Sequence, residues 1–161
     1  MAVKNYEFNA QGVELNQRYT SNAVISEAEP ERFERDQQLY LQATTRPGAK
    51  VPHTWLVNTN GQKQSTLDIT GKGRFTLLTG LSGKGWKQAA ESFNLPYLDV
   101  IQIASHDVYS TWIANSEIHE SGAILVRPDG YVAWRYQDST NDQFDFVNTL
   151  KAVLKQIQLT V

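Results

Sequence analysis

The side chains in this sequence that could do chemistry are three histidines, a glycine-rich loop, an arginine-flanked turn and four tryptophans. There is no cysteine, so thiol nucleophiles, disulfide exchange and thiolate metal sites are excluded. His53, His106 and His119 lie far apart and lack the two-to-four-residue spacing of a metal-binding pair; His119-Glu120 stands alone. Gly80-Leu81-Ser82-Gly83 misses the Gly-x-Ser-x-Gly elbow of a serine hydrolase. His106-Asp107 reads as a helix cap before Val108 rather than a catalytic dyad. The loop Gly80-Leu81-Ser82-Gly83-Lys84-Gly85-Trp86 is either a plain tight connection or an anion cradle at a helix start. If it is a ligand loop, its residues are Gly80, Ser82, Gly83, Gly85 and Trp86. It matches neither the dinucleotide fingerprint nor the P-loop, and Gly71-Lys72-Gly73 lacks the third glycine. In Arg127-Pro128-Asp129-Gly130 the proline presets φ and the glycine accepts a positive φ, which makes a β-turn. Arg127 and Arg135 both fall within reach of Asp129, so a charge-assisted clamp is expected there, with Trp134 beside it. Trp55, Trp86, Trp112 and Trp134 occupy apolar positions and read as core or interface. None of these groups forms a catalytic, cofactor-binding or metal-binding set.

The elements that would position them fall into two regions. Residues 1–48 are polar and charge-mixed. Tyr6–Asn9 and Val13–Asn16 alternate as short strands do, around Gly12. Glu27–Asp36 reads as a solvated charged linker. This stretch has too little apolar content for a core of its own and is expected to lie as a strap against the body or a second copy. Residues 49–161 are more regular. Thr54–Val57 and Ser65–Ile69 read as strands around Asn60-Gly61, and Arg74–Thr79 as a central strand. Trp86, Ala89, Ala90 and Phe93 give one face of a helix that Pro96 stops. Leu98–Ile103 is the next strand and Val108–Ala114 a short helix. Ala123–Val126 and Tyr131–Tyr136 flank the Asp129-Gly130 turn. A final helix carries Phe144, Val147, Leu150, Val153, Leu154 and Ile157, with Asp142 at its start. This order implies an α/β fold, a thioredoxin-like mixed sheet with helices on both faces. No CxxC motif is present, and no proline precedes the Ala123 strand.

With 161 residues, 40% hydrophobic and 11% aromatic, the chain can bury a core. A net charge of −2 offers no basic field, so nucleic acid is not an expected partner. No apolar run is long enough for a membrane span, and Met1–Tyr6 lacks the pattern of a signal peptide. A cytoplasmic location is expected.

Pro47-Gly48-Ala49-Lys50-Val51-Pro52-His53-Thr54-Trp55-Leu56, Thr66-Leu67-Asp68, Gly73–Leu78, Trp86 and Leu125-Val126-Arg127-Pro128-Asp129-Gly130-Tyr131-Val132-Ala133-Trp134-Arg135 resemble the C-terminal domain of flavin-dependent aromatic-ring hydroxylases. The branch is that of phenol and 2,4-dichlorophenol 6-monooxygenases. Gly12–Tyr19 resembles the end of that family's substrate-binding domain. The resemblance implies a strap over 1–48 and a thioredoxin-like domain over 49–161. The family's FAD and NAD(P)H belong to a Rossmann-like domain that these residues do not include, so no cofactor is expected in this chain. It implies a non-catalytic structural and assembly role, with a homodimer or the FAD and substrate domains as partners. The alternative is a stand-alone binding module that takes a small aromatic ligand or a protein at the glycine loop or a groove beside Trp86.

Overall fold

A computed structural model describes residues 3–4, 7, 10–58, 60–103, 107, 111–138 and 143–159. The elements run α1 (Gln11–Leu15), β1 (Trp55–Val57), β2 (Lys63–Ser65), α2 (Thr66–Ile69), β3 (Phe75–Thr79), α3 (Lys84–Phe93), β4 (Leu98–Gln102), α4 (Thr111–Ser116), β5 (Ala123–Val126), β6 (Val132–Tyr136) and α5 (Phe146–Gln156). Four strands form one sheet in the order β4-β3-β5-β6, and β1 and β2 form a separate antiparallel pair. Strand β3 runs parallel to β4, with Leu77 opposite Val100, and antiparallel to β5, with Leu77 opposite Leu125. Strands β5 and β6 are antiparallel, with an irregularity between Leu125 and Val126. The β3-α3-β4 unit followed by the β5-β6 hairpin and α5 is the thioredoxin-like layout that the sequence implies.

The period of two along a strand sends alternate side chains to opposite faces. Leu77 and Leu125 join Trp86, Leu150 and Leu154 on the face covered by α3 and α5. Leu78 and Ile124 join Leu56, Ile103 and Trp112 on the other. Because both faces are covered, β3 reads as a continuous apolar run.

Local chemistry explains where the structure departs from expectation. Residues 66–69 form a helical turn, not the returning strand. Ser65 accepts from the Leu67 amide, and the Ser65 amide donates to Asp68 at 2.7 Å, closing a capping box. Gln11–Leu15 is a helix, not half a hairpin, because Asn16 pins its C-terminal end to the chain 21 to 26 residues further on. Of the proposed first strand, Tyr6, Phe8 and Asn9 lie outside the described residues. So do Val108–Ser110, and the helix is described over Thr111–Ser116. Asp107 accepts from the amides of Thr111 and Ile113, four and six residues further on. The last helix is capped by Asp145, which accepts from the Asn148 amide at 2.9 Å; Asp142 lies outside the described residues. The hydrogen bond lowers the Asp145 pKa.

The stretch expected to be a solvated linker is tied down. Glu27 pairs with Arg135 at 2.5 Å and with Arg46 at 3.1 Å, and Glu31 pairs with Arg18 at 2.6 Å. The strap runs along the outer side of β6. The Ile25 amide donates to the Ala133 carbonyl and the Gly48 amide to the Val132 carbonyl, both at 2.8 Å. Gly48 has φ +93°, and a Cβ there would sit 2.5 Å from the Tyr19 carbonyl oxygen, so only glycine lets the strap double back.

Candidate functional site

The glycine loop connects the end of β3 to α3. Its Ser82 amide donates to the Glu120 carbonyl at 3.1 Å and its Gly83 amide to the Gly80 carbonyl at 3.1 Å. A Cβ on Gly83 would lie 1.6 Å from Thr79 Oγ1, on Gly85 2.5 Å from the Phe146 ring and on Gly80 2.4 Å from the Glu120 carbonyl oxygen. The glycines therefore serve close approach of neighbouring elements, and the amides of Ser82 and Gly83 already have backbone acceptors. The anion-cradle alternative has no support in this geometry.

Trp86 does not border a ligand groove. It is fully buried, donates from Nε1 to the Ser121 carbonyl at 2.9 Å, and meets Trp134 and Phe146 edge-on at 5.5 and 5.1 Å. Its indole fills the core between α3, α5 and the sheet, the usual place for an aromatic whose N–H has found a partner. Trp112 and Trp134 are buried as well, whereas Trp55 is half exposed with His53 edge-on at 5.0 Å.

The opposite side of the loop is open. Gly80 and Leu81, the end of β4 at Ile103, the helix α4 and residues 116–120 enclose a cavity of about 330 Å³. Its apolar floor contains Trp112 and Ile103, and His119 and Glu120 stand exposed at its mouth. No sequence pattern marks this cavity, because four separate segments build it.

The arginine-flanked turn divides into two arrangements. Arg127 donates to Asp129 at 2.6 Å, the Gly130 amide donates to the Arg127 carbonyl at 2.9 Å, and Gly130 takes φ +85°. Pro128 precedes Asp129 in that turn. Arg135 takes no part in it. Its guanidinium, with only 4% of the side chain exposed, donates to Glu27, to Glu117 at 2.6 Å and to the Thr45 hydroxyl at 3.0 Å. Of the two arginines expected within reach of Asp129, Arg127 makes the clamp, and Arg135 fastens the strap. Burial pushes the Glu117 carboxyl up, but hydrogen bonds from the Thr44 hydroxyl and Thr45 amide, with the Arg135 charge, outweigh it and hold it below the usual range. Sequence reasoning missed Glu27, Thr45 and Glu117 as partners of Arg135. Since the Arg127–Asp129 pair is largely exposed at Asp129, Asp129→Ala is expected to lower stability by no more than about 1 kcal/mol, read as a small drop in Tm.

Arg18 pairs with Glu31, and Tyr19 packs edge-on against Tyr131 at 4.6 Å. His106 lies outside the described residues. Among the described residues no cluster of three His, Asp or Glu side chains could hold a metal, and no helix is long and apolar enough to cross a membrane.

Residues 44–157 match the family model described as "Aromatic-ring hydroxylase, C-terminal". The chain is 43% identical over 164 residues to 2,4-dichlorophenol 6-monooxygenase of Delftia acidovorans, covering 94% of this chain and 27% of that protein. It is 39% identical over 148 residues to phenol 2-monooxygenase of Pseudomonas sp. strain EST1001, covering 86% and 24%. Among solved structures, the flavin-dependent monooxygenase PieE in complex with FAD and substrate superposes with TM-score 0.84 at 41% identity, over 99% of this chain and 28% of that one. Aklavinone-11 hydroxylase with FAD and aklavinone gives 0.70 at 33% identity, over 88% and 26%. The chain spans about a quarter of the length of these relatives.

Proposed function

We propose that this chain, which belongs to the aromatic-ring hydroxylase C-terminal family, is the supporting domain of a flavin-dependent monooxygenase of phenols and performs no redox chemistry itself. The observation that carries this reading is the asymmetry of the match. Nearly the whole chain corresponds to a relative, but only about 27% of the relative corresponds to the chain.

FAD does not fit the residues present. The glycine loop is packed against Thr79 and Phe146, the cavity beside Leu81 has Asp107 and Glu120 on its lining, and a second cavity of about 500 Å³ beside Gly85 and Phe146 has Asp145 on its lining, carboxylates that oppose a diphosphate. FAD and NAD(P)H would therefore belong to other domains of the parent enzyme.

Residues 1–48 are read as the end of the substrate-binding domain and 49–161 as the terminal domain. The docking side is assigned to the strap. Val13, Leu15, Tyr40 and Leu41 are each more than 40% exposed. Asn16 ties their two segments together through the Gln37 and Tyr40 carbonyls. A patch of this kind suits contact with the FAD and substrate domains or with a second copy in a homodimer. A cytoplasmic location goes with this reading.

The test is to incubate the purified chain with FAD, NADPH and phenol and then gel-filter it. The expected result is a colourless protein and no NADPH oxidation. Retained flavin absorbance or phenol-dependent oxidation would overturn the reading. A stand-alone binding module is the second reading, and the cavity beside Leu81 is the observation in its favour.

A further inference from the structure

We infer that the cavity between the glycine loop and α4 binds a compact, neutral ring compound carrying one hydroxyl group. This inference concerns the chain's own surface and deepens the binding-module reading, while standing apart from the supporting role. Failure of either leaves the other in place.

Size comes first. At about 330 Å³ the cavity lies at the lower end of the range of small-molecule pockets, about 300–1,000 Å³. It suits a single ring and excludes a dinucleotide. Its floor is apolar: Ile103 and Trp112 are buried, and both belong to the hydrophobic cluster on that face of the sheet, with Ile118 packed against it. At the mouth, Leu81 and Ile113 are 57% and 59% exposed, so two large aliphatic side chains face water beside an apolar floor. An apolar ligand would cover all of these surfaces at once.

Charge then narrows the class. The two Asp107 oxygens accept from the Thr111 and Ile113 amides at 3.0 and 3.1 Å, which fixes this carboxylate in place. Glu120 adds a second carboxylate. Together they repel carboxylate, phosphate and sulfonate groups. The His119 imidazole is exposed at the mouth and makes no hydrogen bond among the described residues, so it is available to a hydroxyl. A phenolic hydroxyl, with a pKa of about 10, stays neutral at pH 7, and an aromatic body suits the Trp112 indole better than a saturated ring.

The experiment is an amide-resolved NMR titration of the 161-residue chain with phenol, cyclohexanol and benzoate as probes. Phenol is expected to give saturable shifts at Gly80, Leu81, Ile113, Ser116 and His119, with a Kd of about 1 mM. Cyclohexanol is expected to bind more weakly, and benzoate not to saturate. Ile113→Asp, at an exposed position that leaves the core untouched, is expected to weaken phenol by about fivefold or more. Its folding is verified by unchanged shifts at α3 and α5. His119→Phe, which keeps an apolar wall and removes the hydrogen-bonding nitrogens, is expected to bring phenol close to cyclohexanol. Four results would overturn the inference. Phenol shifts could scatter or centre elsewhere, benzoate could equal phenol, or Ile113→Asp could leave phenol binding unchanged. The fourth is that the cavity amides shift with protein concentration alone, which would put a second copy there.

Discussion

Replacing Trp86 with alanine is expected to cost about 3–5 kcal/mol, a large part of the stability of an ordinary domain. Trp86 is fully buried, and three aromatic rings (Trp134, Phe144 and Phe146) stand around it with centroids 5.1 to 5.5 Å away. Truncation would open a cavity among side chains contributed by α3, β6 and the start of α5. None of these can close it without breaking its own packing. The Ser121 carbonyl would also lose the indole N–H. Urea unfolding is the measurement, with Trp86→Phe as the companion variant. The phenylalanine keeps most of the ring contact and loses only the hydrogen bond, so its midpoint should fall between wild type and alanine. Equal loss in both variants would place the stabilisation in the hydrogen bond instead of the packing.

Arg135→Ala is expected to cost about 2–3 kcal/mol. Removing one partner of a buried ion pair leaves the other charge uncompensated at about 3–5 kcal/mol, and here water reaches Glu27 and Glu117, which lowers the figure. Arg135→Lys should recover only part, since an ammonium cannot meet Glu27 and Glu117 with a planar fork. Because Arg135 bridges the strap to the residue after α4, the variant should also lose residues 1–48 to limited proteolysis before the body unfolds. The pH dependence follows from the lowered pKa of Glu117. A carboxyl whose folded pKa lies below its unfolded value contributes stability that is fully present above the unfolded pKa, about 4.3, and is lost as pH falls through the folded value. Glu31 shifts the same way: burial raises its pKa, but Arg18 and Gln42 outweigh it. In Asp99 the hydrogen bond from Arg74 outweighs desolvation. Acid should therefore destabilise the wild type, and the gap between wild type and Arg135→Ala should narrow below about pH 4. A gap that stays constant down to pH 3 would detach Glu117 from the effect.

The sheet was legible because its signals are local. Phe75–Thr79 and Leu98–Gln102 are short apolar runs, and Pro128-Asp129-Gly130 is a turn that the chemistry of three adjacent residues dictates. Residues 66–69 were misread for a local reason too: Thr66 and Ile69 favour strand, while Ser65 and Asp68 carry a cap signal that wins once both ends of the box close. What escaped sequence reasoning was long-range pairing. Glu27 and Arg135 are 108 residues apart, and nothing in either neighbourhood announces the other. The same holds for the cavity, in which a β3 loop, the end of β4, α4 and the segment before β5 meet only after folding. Trp86 was visible as a large aromatic on a helix, but the choice between core and groove depended on Phe146 and Ser121, which belong to other elements.

The strap's attachment to β6 has a consequence for inheritance. The bonds from Ile25 and Gly48 to Ala133 and Val132 join main-chain atoms, and every residue except proline offers the same donor. Apart from the glycine at 48, this seam tolerates broad substitution while its path stays fixed.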